Sequence, residues 1–327
     1  MHIAILHPHI PPDAALDDQD TLVQADAVEA ALRQLGHRVE RIACTLDLAA
    51  LRRAVLAAQP AVVFNLAEAL DGADSLQHVP PALLDTLGVR YTGNPTEAIF
   101  QTTHKLLAKQ ILGLAGLPTP AWTTFEQGGD GARLAAPCIL KAVWEHASRG
   151  LDDANVIRQG DAGLVQQRLA EFAAESGRPC FAEQFIEGRE FNLAILDGPQ
   201  GPELLPAAEI DFAAFPPGKP RIVGHRAKWV AGSFEFENTP PSFDFPDQDR
   251  PLLDQIGNLT LACWRRFGLR GYARVDFRVD PEQGPWILEI NTNPCLAPDA
   301  GFAAALARAG IPFPQAVQRI VNAAARE

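Results

Sequence analysis

The sequence predicts an α/β protein of three lobes: a parallel, helix-covered sheet first, then a small α+β lobe, then an α+β lobe built on antiparallel strands. Three observations predict it. Residues 2–65 alternate short apolar strands with amphipathic helices in β-α-β-α-β order, which requires a parallel sheet covered by helices. Later strands come as pairs across short connections, Cys180–Ile186 with Glu190–Leu196 and Gly271–Val279 with Trp286–Ile290. The balance of 47% hydrophobic and 21% charged residues in 327 is that of a globular chain with two or three packed units.

The elements follow in order. His2–Leu6 is an apolar strand, followed by a loop with Pro8, Pro11 and Pro12. Val23, Ala27, Ala31 and Leu35 recur at intervals of four and predict a helix, with Asp20 or Thr21 as its cap and Gly36 as its stop. Arg38–Ile42 and Ala61–Asn65 are strands flanking a helix over Leu48–Ala58. A helix near Val79–Leu87 and the turn Tyr91-Thr92-Gly93-Asn94 close the first lobe, 1–95. The second lobe, 96–187, starts with one long helix over Thr96–Gly113, then has a strand at Pro137–Val143, a helix at Ala162–Glu175 and the strand Cys180–Ile186. The third lobe, 188–327, has strands at Glu190–Leu196, Glu203–Ile210 and Ile222–Val230, a helix at Arg250–Phe267, the strand pair already named, and helices near Ala300–Ala309 and Pro314–Ala325. The Phe215–Pro220 stretch, rich in Pro and Gly, reads as a surface loop or lid.

Charge and cysteine content exclude several functions. A net charge of −12 gives no electrostatic footprint for nucleic acid or an anionic membrane. No stretch approaches the roughly 18 apolar residues of a membrane helix, and the N-terminus lacks a basic signal-peptide start. Cys44, Cys138, Cys180, Cys263 and Cys295 are scattered without a CxxC pair, so a cytoplasmic protein with reduced thiols is expected. The basic residues are 23 Arg and only five Lys: Lys105, Lys109, Lys141, Lys219 and Lys228. In such a chain a lysine marks a place that needs a compact point charge.

The chemistry concentrates near the C-terminus, in Gly271-Tyr-Ala-Arg274-Val-Asp276-Phe-Arg-Val and Trp286-Ile-Leu-Glu289-Ile-Asn291-Thr-Asn293-Pro294. Alternate strand residues share a face. Arg274 and Asp276 therefore point together, as do Glu289 and Asn291. Paired strands would bring three oxygen ligands and a guanidinium onto one surface, a site for Mg²⁺ completed by phosphate oxygens. The competing reading is a solvated sheet face with scattered charges.

These two runs resemble the metal-binding signature of ATP-grasp ligases, D-alanine–D-alanine ligases in particular. The resemblance covers nearly the whole chain in element order and is strong from about Tyr91 onward. It implies an ATP-grasp fold, with ATP and two Mg²⁺ ions (Mn²⁺ an alternative) as cofactors. Asp276, Glu289 and Asn291 would hold the metals. Lys105 and Lys141 would reach the phosphates, helped by Ser148 and Gly150 in the loop Trp144–Gly150, and Lys228 would stand near the γ-phosphate. Phe181-Ala-Glu183-Gln-Phe185-Ile186-Glu187 looks like the adenine hinge, with Glu183 and Ile186 framing the base and Glu190 on the ribose. Arg274, Lys228 and Ser148 would be catalytic. Neither GxGxxG nor GxxxxGK[ST] is present.

The substrate end departs from the family. The first-strand loop runs His7-Pro8-His9-Ile10-Pro11-Pro12-Asp13 without the family's glutamate, for which Asp17, Asp18 or Asp20 are candidate replacements. Asn65-Leu66-Ala67-Glu68-Ala69-Leu70-Asp71-Gly72 stands in place of the His-Gly…Gly-Glu-Asp-Gly segment. Ala147, Trp229, Cys295 and Ala300 occupy positions where the family has serine, tyrosine, glycine and serine. Each change removes a polar handle, and a site without its hydrogen-bonding groups discriminates against the substrate that needs them. Substrate contacts are expected from His7, His9, Glu68, Asn293 and Cys295. A His-x-His metal pair at His7 and His9 lacks a third ligand, and Cys295 has no partner histidine in the sequence.

The expected function is an ATP-dependent ligase joining a carboxylate, an amino acid or small peptide, to an amine through an acyl phosphate. A true D-alanine–D-alanine ligase and a non-catalytic nucleotide-binding regulator are the alternatives. The expected partners are the small-molecule acid and amine, with no nucleic acid and no membrane, and the resemblance makes a homodimer plausible.

Overall fold

The computed structural model describes residues 1–327 except 12, 15, 126–133, 146–147, 281, 283 and 326–327. The described residues form three sheets. The first is parallel, in the order β2-β1-β3, from β1 (His2–Pro8), β2 (Arg38–Cys44) and β3 (Val62–Asn65), linked by α1 (Leu16–Gln34) and α2 (Leu48–Ala58) and followed by α3 (Val79–Leu87). Next come α4 (Thr96–Thr103), α5 (Lys105–Leu114), β4 (Trp122–Thr124), β5 (Cys138–Ala142), β6 (Val156–Ile157), α6 (Ala162–Ser176) and β7 (Cys180–Gln184). Their strands make an antiparallel sheet in the order β4-β7-β5-β6.

The largest sheet runs β11-β10-β8-β12-β13, with β9 also on β8. It is built from β8 (Arg189–Gly198), β9 (Gly201–Leu204), β10 (Ala208–Ile210), β11 (Pro241–Ser242), β12 (Tyr272–Asp280) and β13 (Gly284–Asn291), all antiparallel. Two short helices, α7 (His225–Trp229) and α8 (Phe234–Glu237), precede α9 (Arg250–Arg266), and α10 (Gly301–Arg308) and α11 (Phe313–Ala325) follow the sheet. The parallel first sheet and antiparallel later sheets are those the strand pattern predicts.

One apolar cluster joins the first and last sheets. Ile3, Ile5, Val28 and Leu32 pack with Leu196, Tyr272, Phe302, Val317 and Ile320, all buried. Across the large sheet, Phe191, Val275, Phe277 and Ile287 pack on α9 through Ile256, Cys263 and Trp264, and on α5 through Leu112.

Four local expectations need correction. The first helix starts at Leu16, so Asp20 and Thr21 lie within it rather than at its cap. Its buried stripe is Gln24, Ala25, Val28, Ala31 and Leu32, while Val23 is 48% exposed. A spacing of four drifts around a helix of 3.6 residues per turn, and the true stripe mixes threes and fours. The long helix after Thr96 breaks at His104, whose backbone leaves the helical region at φ −80, ψ 91 and whose Nδ1 accepts the Leu107 N–H at 3.0 Å. The strand over Glu203–Ile210 is two strands, β9 and β10, with Pro206 between them, since proline cannot donate to a ladder. Ile222–Val230 is not a strand. The His225 N–H is taken by Leu151 O at 2.9 Å instead of a sheet partner, and the short helix α7 starts there. The Phe215–Pro220 stretch is a loop as expected, with Pro216, Pro217 and Gly218 exposed; its ends Phe215 and Pro220 are buried, and Lys219 is ion-paired to Asp153 at 2.6 Å and Glu235 at 2.8 Å.

Candidate active site

A cavity of about 780 Å³ lies between the three sheets and has two chemically different ends. One end is built on β12 and β13. Their register sets Arg274 opposite Asn291 and Asp276 opposite Glu289, with a bulge just beyond Asp276. Arg274 grips Asp276 with two parallel hydrogen bonds, Nε to Oδ1 at 2.7 Å and Nη2 to Oδ2 at 2.9 Å. Asn192 on β8 donates to the same carboxylate at 2.8 Å. Burial pushes the Asp276 carboxyl up; Arg274 opposes the rise and Glu289 adds to it. A cation placed between Asp276 and Glu289 would relieve that repulsion, so the donors fit a hard metal ion. Among the described residues no three His, Cys, Asp or Glu side chains converge as a complete cage. The protein's share of such a site would be two carboxylates and the Asn291 amide, which would leave positions for phosphate oxygens.

Lysines surround this end. Lys105, at the start of α5, donates to the Glu145 carbonyl and lies 3.8 Å from Glu289. Lys141 on β5 donates to Glu183 Oε2 at 2.5 Å, and the other Glu183 oxygen pairs with Lys109. Burial alone would raise the Glu183 carboxyl, but the two ammonium groups hold it below the usual carboxylate range. Lys228 on α7 also lines the cavity, and burial lowers its ammonium below the usual lysine range against the pull of Glu289. Ser148 has φ +59 and donates to Val223 O at 2.8 Å, and Gly150 has φ +68. Phe185 and Ile186 line the wall after β7. Glu190 on β8 pairs with Arg278 at 3.2 Å.

The other end is acidic. Asp20, Glu68, Asp71, Asp74 and Asp299 line it, with His9, Asn293, Cys295, Trp229 and Ala300. Asn293 is fixed by the Tyr272 hydroxyl, which donates to its Oδ1 at 2.6 Å, and its own Nδ2 donates to Ala67 O at 3.3 Å. The Cys295 thiol donates to Asp20 Oδ2 at 3.0 Å, and burial pushes that thiol far up.

Of the described residues expected to bind nucleotide, metal or substrate or to act in catalysis, His7 is the one that does not line the cavity. It is buried, with Nδ1 on the Pro8 carbonyl at 2.8 Å, and burial, with Arg41 and His9 nearby, lowers its imidazole below the usual histidine range. Glu183 lines the cavity, but its carboxylate is committed to two lysines. Ala147 and the side chains of Asp17 and Asp18 lie outside the described residues, whereas Asp20 reaches the cavity. Three contributors had no site role assigned from the sequence: Lys109, Arg278 and Gln24. Arg278 continues the alternation of Arg274 and Asp276, and Lys109 is one helical turn from Lys105, so both carried a local signal. Gln24 carried none.

Comparison with known proteins finds relatives over nearly the whole chain. The family model described as D-ala D-ala ligase C-terminus matches residues 111–322. An uncharacterized protein, y4sG, of Sinorhizobium fredii is 30% identical over 310 residues, 92% of this chain and 87% of that protein. The D-alanine–D-alanine ligase of Moorella thermoacetica is 32% identical over 326 residues, 93% of this chain and 94% of the relative. The crystal structure of D-alanine–D-alanine ligase from Bacillus anthracis complexed with ATP superposes with a TM-score of 0.75 at 19% identity, covering 100% of this chain and 98% of that one. Among the described residues no helix is long and apolar enough to cross a membrane.

Proposed function

This chain belongs to the D-alanine–D-alanine ligase family, and on that premise we propose that it joins a carboxylate to an amine, driven by ATP, through an acyl phosphate. The observation that carries the reading is the division of the cavity. Lysines and a carboxylate–amide metal face fill one end, and acidic groups fill the other. Lys105, Lys141 and Lys228 offset phosphate charge as the substrate carboxylate attacks the γ-phosphate. Asp276, Glu289 and Asn291 would hold Mg²⁺, which when bound would supply positive charge against the phosphate oxygens. Phe185 and Ile186 pack against the adenine, and Glu190 accepts from the ribose. Arg274 stabilises the oxyanion of the tetrahedral intermediate, since the Asn293 N–H is taken by Asn291 Oδ1 at 3.0 Å. No covalent protein nucleophile is required, and positioning and electrostatics supply the acceleration. The need for ATP fits a cytoplasmic enzyme.

We read the acid and amine as a pair other than two D-alanines, because Ala147, Trp229 and Ala300 replace the polar handles serine, tyrosine and serine. A second reading, that both substrates are D-alanine, is favoured by relatives that carry that name at 30–32% identity over nearly the whole chain. Purified protein incubated with ATP, Mg²⁺ and a panel of L- and D-amino acids and dipeptides decides between them. Product masses equal to two panel members less water, with ADP, are expected from the panel. D-alanyl-D-alanine as the main product would establish the second reading. Glu289→Ala is expected to abolish product while leaving the melting temperature within a few degrees. ADP release without any condensed product would sink both readings.

A further inference from the structure

The ligase chemistry leaves one step without an assigned group. An amine reaches the protein near neutral pH as an ammonium ion, and it has no lone pair to attack with until it loses a proton. The lysine end of the cavity repels such a cation. At the acidic end, Glu68 is held in one orientation. Its Oε1 accepts a 2.5 Å hydrogen bond from Gln24 Nε2, and Gln24 Oε1 accepts the Leu296 N–H at 3.3 Å. Gln24 is 1% exposed. A side chain buried that deeply must be satisfied at both ends, and both of its ends here serve to fix Glu68 against the turn that follows β13. Among the described residues Glu68 Oε2 has no hydrogen-bond partner, and Glu68 lines the cavity.

We propose that Glu68 receives the ammonium group of the amine substrate and takes its proton, with Gln24 as the positioning residue that aims it. The inference rests on the ligase reading above. The Glu68 carboxylate accepts one N–H proton. The freed lone pair forms the C–N bond at the acyl carbon. The bond from that carbon to the phosphate oxygen breaks, and phosphate leaves with the electron pair. The second nitrogen proton goes to the departing phosphate.

The surroundings suit a base. Burial pushes the Glu68 carboxyl up to about 7, and Asp20 and Asp74 add to the rise while Gln24 and Arg274 oppose it. The titratable groups facing it are Asp20 on α1, Asp74 after β3, Tyr272 and Arg274 on β12, and Cys295 in the turn. A base near neutrality both captures and returns a proton at working pH.

Hydroxylamine separates this step from the one before it, because it is already neutral and attacks an acyl phosphate without a base. The test compares wild type, Glu68→Gln, Glu68→Asp and Gln24→Met, each given ATP, Mg²⁺ and the acid and amine found with the panel. Glu68→Gln is expected to lose amide formation by about 100-fold or more, in the range of a missing general base, with hydroxamate formation falling less than about tenfold. Glu68→Asp should restore part of the amide rate. Gln24→Met should raise KM for the amine more than it lowers kcat for hydroxamate. The wild-type amide rate should climb through pH 7, and the Glu68→Gln profile should lose that limb. Equal losses of amide and hydroxamate in Glu68→Gln, or an unchanged pH profile, would overturn the assignment of Glu68 and leave the ligase standing. Absence of both products in wild type across the panel would overturn the ligase reading and this inference with it.

Discussion

Glu183 is 1% exposed and holds two ammonium groups, one on each oxygen. Lys141 faces the cavity, and Lys109 sits behind it. The pair from behind therefore sets the position of the lysine in front. Lys109→Met would leave a buried carboxylate with one partner, and removing a partner from a buried pair typically costs about 3 kcal/mol or more. A drop in melting temperature and a weaker ATP affinity are expected together, the first by thermal denaturation and the second by calorimetry. Glu68 presents the opposite case. Its carboxyl lies at about 7 in the folded chain against an ordinary 4.5. Because the folded value is raised, its contribution is fully favourable only below about 4.5, and stability is lost as pH rises through about 7. Glu68→Gln should thus melt above wild type at pH 8, and the gap should shrink toward zero at pH 5. An equal gap at both pH values would show that the Glu68 carboxylate is not the cause. The cost fits a functional site, where stability and activity often oppose each other.

At the scale of elements, β12 and β13 show what the sequence alone could give. Alternation along a strand is local, so Arg274, Asp276, Glu289 and Asn291 could be placed on common faces before any fold was known. The bulge beyond Asp276, which sets the register that puts it opposite Glu289, has no such local mark. Ile222–Val230 misled for a related reason: its apolar residues suit a strand, but its backbone partner is the Leu151 carbonyl, contributed by a distant loop. His7 and His9 share strand parity, yet β1 ends at Pro8 and they part company, one buried and one lining the cavity. The break at His104 was equally illegible, because the periodicity of α4 continues into α5. The link between β7 and β8 is set by Gly188, at φ +146, where a Cβ would fall 2.0 Å from the Val279 carbonyl oxygen. Gly188→Ala must push β8 away from β12. It is expected to weaken nucleotide binding by an order of magnitude or more in calorimetry, with a lowered melting temperature. Unchanged affinity would mean that this link does not shape the nucleotide pocket.

At the scale of the molecule, the cavity is closed by contacts between segments far apart in sequence. Ser148 donates to Val223 O, and the His225 N–H donates to Leu151 O. Lys219 joins Asp153, just before β6, to Glu235 on α8. Lys219→Met should loosen this face and let water reach the acyl phosphate, raising ADP formed per amide formed. A ratio unchanged from wild type would assign the closure to other contacts. The acidic end is assembled over a still longer span, since Gln24 meets Leu296 across 272 residues and Asp20 meets Cys295 across 275. A ribosome adding roughly 5–20 residues per second needs about a quarter of a minute to a minute to cover that distance. Throughout that interval α1 has been made, but its partners on β8, α10 and α11 are arriving only in turn. Its stripe of Ala25, Val28 and Leu32 has β1 and β2 beside it early but lacks its cover from α11 until near the end of synthesis, so the nascent chain offers a chaperone a part-covered apolar helix well before it offers a substrate a site.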